Sequence, residues 1–151
     1  MLQKLAITVA VGGWLFCNPT VAQVLAPTER AAHVEIAQEP ALELARDDVA
    51  IIRWTTNNPG GSDDHFGVVH YGTDPKDLRQ MAKSHVRLNR GHPETIFRVR
   101  VDGLKPRTTY YFAVTSIESD GKSDGVMSPV NQFTTPGLGE RIVAHPPQPM
   151  P

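Results

Sequence analysis

The side chains best suited to chemistry are six histidines and the carboxylate pairs Asp63-Asp64, Asp74 with Asp77, and Asp120 with Asp124. His65, His70, His85 and His92 lie in the middle third of the chain. A zinc site draws its ligands from short spacings such as HExxH or paired Cys and His, and none occurs here. His70 stands between Val69 and Tyr71 in a strand-like segment, so it faces away from them. His65 and His92 fall in separate stretches that read as loops. The histidines therefore read as scattered surface side chains. Nor do the aspartates follow the ligand order of a calcium loop. Adjacent aspartates among glycines are ordinary turn formers. The chain has no G-x-S-x-G elbow and no glycine-rich phosphate loop. No catalytic residue, metal or other cofactor is expected.

The elements that would carry these loops are easier to read. Phe97, Val99 and Val101 alternate with Arg98, Arg100 and Asp102, the period of a half-buried strand. After a corner punctuated by Gly103 and Pro106, Tyr110, Phe112 and Val114 share one parity. Leu104 is the apolar residue of that corner and is expected to plug the core beneath it. Upstream, Val49 to Thr56 puts Ala50, Ile52 and Trp54 on one face. Phe66 to Tyr71 puts Val69 and Tyr71 inward. Between these two strands Asn57 to Asp64 is a long polar loop, and Glu118 to Asp124 is a polar hairpin tip.

Other stretches are less regular. The first strand is interrupted at Glu39-Pro40 and continues with Leu42 and Leu44 on one parity, which suits an edge. Asp74-Pro75 reads as the cap and first residue of one helical turn, with Leu78 and Met81 packed beneath it. His85, Val86 and Leu88 hint at a short edge strand. The last strand, Val126 to Thr134, contains Pro129 and spaces Val130 three residues from Phe133. Period two cannot put those two on one face without a bulge.

The corner Gly103-Leu104-Lys105-Pro106 followed by Tyr110-Tyr111-Phe112 resembles that of fibronectin type III domains. Trp54, Tyr71 and Phe133-Thr134-Thr135-Pro136 match further positions of that family in the same order. Together they cover roughly residues 32–136. The resemblance implies an all-β fold, a seven-stranded antiparallel immunoglobulin-like (fibronectin type III) β-sandwich. It also implies that Tyr110 bonds its hydroxyl back to the corner backbone. The expected core is Ile52, Trp54, Val69, Tyr71, Val99, Val101, Leu104, Tyr110, Phe112, Val114 and Phe133. The same features are similar to the N-terminal fibronectin-like domain of purple acid phosphatases. The metal-holding motifs of those enzymes' catalytic domain, G-D-x-x-Y, G-N-H and G-H-x-H, are absent from this sequence.

The N-terminus has the build of a secretory signal peptide. Lys4 precedes an apolar run from Leu5 to Cys17, Pro19 breaks it, and Thr20-Val21-Ala22 offers small residues for cleavage. The run is too short for a stable membrane span. Bulky Trp14-Leu15-Phe16 argues against lipidation of Cys17. Cleavage would remove the single cysteine, so the exported chain would rely on its core rather than on a disulfide. The expected organisation is signal peptide 1–22, linker 23–31, sandwich 32–136 and a Pro-rich, disordered tail 137–151. Without Lys4 the chain has fourteen basic and sixteen acidic side chains. That balance lacks the basic stripe of a nucleic-acid binder. The expected protein is an exported, non-catalytic module that binds a protein or cell-surface component. Its alternative is a detached accessory domain of a metallophosphoesterase. Asp63, Asp64 and Asp120, on loops of a rigid frame, are the expected partner contacts.

Overall fold

The structure, a computed structural model, describes residues 33–59, 62–88 and 91–144. The expected signal peptide, the linker and the last seven residues lie outside them. Among the described residues the strands are β1 (Ile36–Arg46), β2 (Val49–Asn57), β3 (Asp64–Gly72), β4 (Gln80–Arg87), β5 (Glu94–Val101), β6 (Thr109–Glu118), β7 (Ser123–Met127), β8 (Asn131–Thr134) and β9 (Arg141–Val143). One sheet has the order β5-β2-β1-β9. The other runs β4-β3-β6-β7, with β8 also paired to β6. Every pairing is antiparallel.

The core is built by alternation on the facing strands. In β2 and β5 the register sets Ala50 beside Val101, Ile52 beside Val99 and Trp54 beside Phe97. Trp54 and Phe97 stack with centroids 5.1 Å apart. The opposite sheet makes room for them at Gly67. A Cβ there would sit 2.9 Å from Trp54 Cη2 and 2.9 Å from Val99 Cγ2. Ile52, Trp54, Val69, Val99, Val101, Leu104, Tyr110, Phe112, Val114 and Phe133 lie buried in one cluster, and half-buried Tyr71 packs against it.

The corner between β5 and β6 is held by several hydrogen bonds. Gly103 takes the left-handed conformation (φ 73°), which lets the chain reverse. Leu104 N–H donates to Asp48 O at 2.9 Å and its side chain enters the core. Lys105 N–H donates to the Tyr110 hydroxyl at 2.9 Å. Thr135 Oγ1 donates to Lys105 O at 2.6 Å and accepts from Thr108 N–H at 2.9 Å. Tyr110→Phe leaves the Lys105 donor without this acceptor while keeping the ring. It is expected to lower stability by about 1–3 kcal/mol. Tyr111→Phe, on the opposite face of β6, should change stability much less. Urea melts giving equal losses for the two would refute the role of the corner bond.

Four segments depart from expectation. No helical turn follows Asp74. Its side chain accepts from Lys76 N–H at 2.9 Å, and Asp77 N–H returns to Asp74 O at 3.0 Å. The chain then enters β4, which leaves Leu78 half-buried and Met81 57% exposed. The expected last strand is split. Ser128-Pro129-Val130 separates β7 from β8, with Val130 outside and Phe133 inside. The Ser128 hydroxyl accepts from Val114 N–H at 3.0 Å and so replaces a ladder bond across the break. In β1 three register shifts absorb extra residues. The shift between Leu42 and Leu44 puts them beside Ile52 and Ile51 respectively, on different faces. Finally, Arg141–Val143, counted with the tail from 137 onward, forms β9 along Leu44–Arg46.

Candidate functional site

The ladder between β3 and β6 pairs His65 with Glu118. It thereby carries the loop before β3 to the hairpin after β6. Ser119 N–H donates to Asp64 O at 3.0 Å, and Ser62 N–H donates to Glu118 Oε2 at 3.2 Å. The three aspartates proposed as partner contacts sit here. Asp64 Oδ1 meets His85 Nε2 at 3.1 Å. Asp120 is exposed, and its carboxylate accepts from Lys122 N–H at 2.9 Å. Asp63 is half-buried, and its carbonyl accepts from Leu88 N–H at 2.8 Å. These carboxylates shape their own loops and do not converge. No group of three or more His, Cys, Asp or Glu side chains among the described residues is placed to hold a metal.

His65 corrects the surface reading. It is the first inward position of β3, with a side chain 0% exposed. Its Nε2 lies 3.3 Å from Oδ1 of Asp124, whose side chain is 4% exposed. The contact is not aligned as a hydrogen bond, so both ring nitrogens lack a hydrogen-bond partner. Asp124 Oδ2 and Thr56 Oγ1 are likewise buried without one. This end of the core is polar: Thr95 Oγ1 donates to Asn58 Oδ1 at 2.8 Å, and Ser116 is buried nearby in β6. A His beside an Asp is the supporting half of a nucleophilic triad. Shielded at 0% exposure, however, this imidazole cannot reach a substrate. The missed clue was parity. His65, Gly67, Val69 and Tyr71 share one side of β3, as Asp124 and Val126 do in β7.

The outer face of the same sheet has a different character. Register puts Phe66 between His85 and Ile117, and Val68 between Lys83 and Thr115. His70 falls between Met81 and Ala113. Met127 lies beyond Thr115. Val68 is buried by its neighbours, but Met81 is 57% and Met127 59% exposed. Phe66 meets the His85 ring edge-on with centroids 5.4 Å apart. His70 Nε2 lies 3.1 Å from Thr115 Oγ1. Partial burial, and next the charge of Lys83, push the His70 pKa below its ordinary value. That favours the uncharged ring among these apolar neighbours. The face thus combines an apolar strip with a rim of Lys83, His85, Asp64 and Asp120.

Two antiparallel sheets, a plugged corner with its tyrosine, and a tryptophan at the sheet centre define a fibronectin type III-like β-sandwich. The sequence profile of the family described as Purple acid Phosphatase, N-terminal domain matches residues 37–135. The chain belongs to that family. Its match is to the fibronectin-like module, a domain type that is non-catalytic in itself. Similar solved structures include the sensor domain of the anti-sigma factor RsgI4 of Pseudobacteroides cellulosolvens. It is 25% identical with a TM-score of 0.49, over 78% of this chain and 90% of that one. A fibronectin type III domain of human contactin 1 is 15% identical with a TM-score of 0.44, over 91% of this chain and 98% of that one. No curated protein matches the chain.

Proposed function

We propose that this chain is an exported, non-catalytic interaction module that docks onto a protein through the outer face of the β4-β3-β6-β7 sheet and its adjoining loops. The observation that carries this reading is the exposure of Met81 and Met127 over Phe66, Val68 and Ile117, bounded by polar side chains. An apolar centre with a polar rim is the usual anatomy of a protein interface, and methionine is enriched there. Asp63, Asp64 and Asp120 belong to the rim end of this surface. Export rests on the Lys4 to Ala22 pattern. Among the described residues no helix is long and apolar enough to cross a membrane. The family match favours one class of partner in particular, the metallophosphoesterase domain for which this module is named.

Crosslinking and pull-down of tagged protein from its own envelope fraction tests both parts. Intact mass should place the mature N-terminus near Gln23. Capture of a partner should fall at least tenfold in a Met81→Glu, Met127→Glu variant that melts like the wild type. Unchanged capture would sink the docking face, and a captured metallophosphoesterase would select the phosphatase-associated reading. The purified protein alone should not hydrolyse phosphate monoesters with zinc, iron or manganese supplied. A two-metal site needs several converging ligands. Turnover that disappears in an Asp63→Ala, Asp64→Ala variant would overturn the non-enzyme reading.

A further inference from the structure

A cleft of about 320 Å³ opens where β5, at the edge of one sheet, meets β4, at the edge of the other. Its wall is the outer face of β1, β2 and β5 (Gln38, Arg53, Thr55, Glu94 and Ile96) together with Arg87 and His92. The two arginines of β5 are paired locally. Arg98 pairs with Glu43 at 2.8 Å and Arg100 with Asp102 at 2.7 Å. Arg53 and Arg87 form no ion pair with a described residue. Arg53 Nε is in addition buried with no hydrogen-bond partner. A buried N–H of a guanidinium ordinarily has an acceptor, and its absence marks a place where one belongs.

We propose that this cleft binds a small sugar acid, with the ligand carboxylate on Arg53 and Arg87. Among the described lining residues, two arginines and the Glu94 carboxylate leave one net positive charge, which matches a monoanion rather than a doubly charged phosphate monoester. The rest of the lining mixes donors and acceptors. Gln38 Oε1 is taken by the Thr55 hydroxyl at 3.0 Å, which leaves the Gln38 amide N–H groups to donate. His92 Nδ1 is engaged by the Glu94 backbone at 3.2 Å, which leaves Nε2 as the ring's remaining polar atom. Glu94 supplies acceptors. Sugar hydroxyls, each both donor and acceptor, satisfy such a set, whereas an acidic side chain from a polypeptide brings only acceptors. Ile96, 44% exposed, offers an apolar surface to the face of a ring. The volume is at the lower end for ligand sites, enough for one ring rather than an extended molecule. The proposal rests on a different observation from the docking face, although Arg87 belongs to β4 of that sheet.

Amide NMR titration of the full chain tests it with four probes: glucuronate, glucose, N-acetyl-aspartate and inorganic phosphate. Glucuronate should shift the amides of Thr55, Glu94 and Ile96, and bind at least tenfold more tightly than any of the other three. Arg87→Gln, at an exposed position, should weaken glucuronate at least tenfold with an unchanged melting temperature. Arg53→Gln should do the same. If Arg53→Gln does not fold, Arg87→Gln decides alone. Equal or tighter binding of N-acetyl-aspartate or phosphate, no saturable shifts at these amides, or undiminished binding by Arg87→Gln would overturn the assignment.

Discussion

Trp54→Ala is expected to destabilise the domain by about 3–5 kcal/mol, the usual cost of deleting a buried aromatic side chain. Trp54 is 1% exposed and stacks on Phe97 from the neighbouring strand. Its far edge lies against the backbone of Gly67 in the opposite sheet, so it bridges both layers of the sandwich. Removing it opens a cavity that neither sheet closes without giving up its register. Against a total stability on the order of 5–15 kcal/mol, the variant is expected to be partly unfolded at room temperature if the domain is at the low end. A urea melt with unchanged slope and a loss below about 1 kcal/mol would contradict this account, since such values belong to surface substitutions.

The second large effect is expected at the buried polar end of the core. His65→Ala removes the imidazole that stands 3.3 Å from Asp124 and leaves that carboxyl, 4% exposed, without a polar neighbour to pair with. Deleting one half of a buried pair in this way costs about 3–5 kcal/mol. Replacing both members by apolar groups of similar size is a different experiment. His65→Leu combined with Asp124→Leu leaves nothing orphaned, and stability should stay within about 1 kcal/mol of the wild type or rise. Guanidinium melts of the two variants make the comparison. If the double variant is as unstable as His65→Ala, the pair is not the cause and packing at this end of the core is.

The pair also bears on why the loops at this end of the sandwich hold their shape. Asp124 belongs to β7 and His65 to β3, so their contact ties the end of the hairpin to the centre of the sheet. Glu118 adds a second tie by accepting from Ser62 N–H. The loops that carry Asp63, Asp64 and Asp120 are therefore anchored on both sides by buried or half-buried polar contacts. Such preorganisation lowers the ordering cost of binding a partner.

Local chemistry was sufficient for the frame. Alternation in 97–101 and 110–114, the Gly103 to Pro106 corner, and Trp54 at the middle of an apolar parity all belong to short windows of sequence. A strand's period and a turn's φ requirement are set by nearest neighbours along the chain. Other features depended on contacts distant in sequence. The residues of β4 alternate correctly, but its inward side is Ala82, Ser84 and Val86 while Met81 faces out. Hydrophobicity alone then gives the wrong face, and only pairing with β3 settles it. The three shifts in β1, the break at Ser128-Pro129-Val130 and the return of Arg141–Val143 to β1 were likewise decided by where a partner strand lies. By type His65 reads as a surface-loop residue, although its parity with Gly67 and Val69 points inward. Its burial follows from the ladder to β6 and from the carboxylate that β7 supplies. The cleft at Arg53 and Arg87 joins strands whose residues are separated by the whole of β3, so no local window contains it. A side chain's period is local physics, but which surface it finally meets is a property of the assembled sheets.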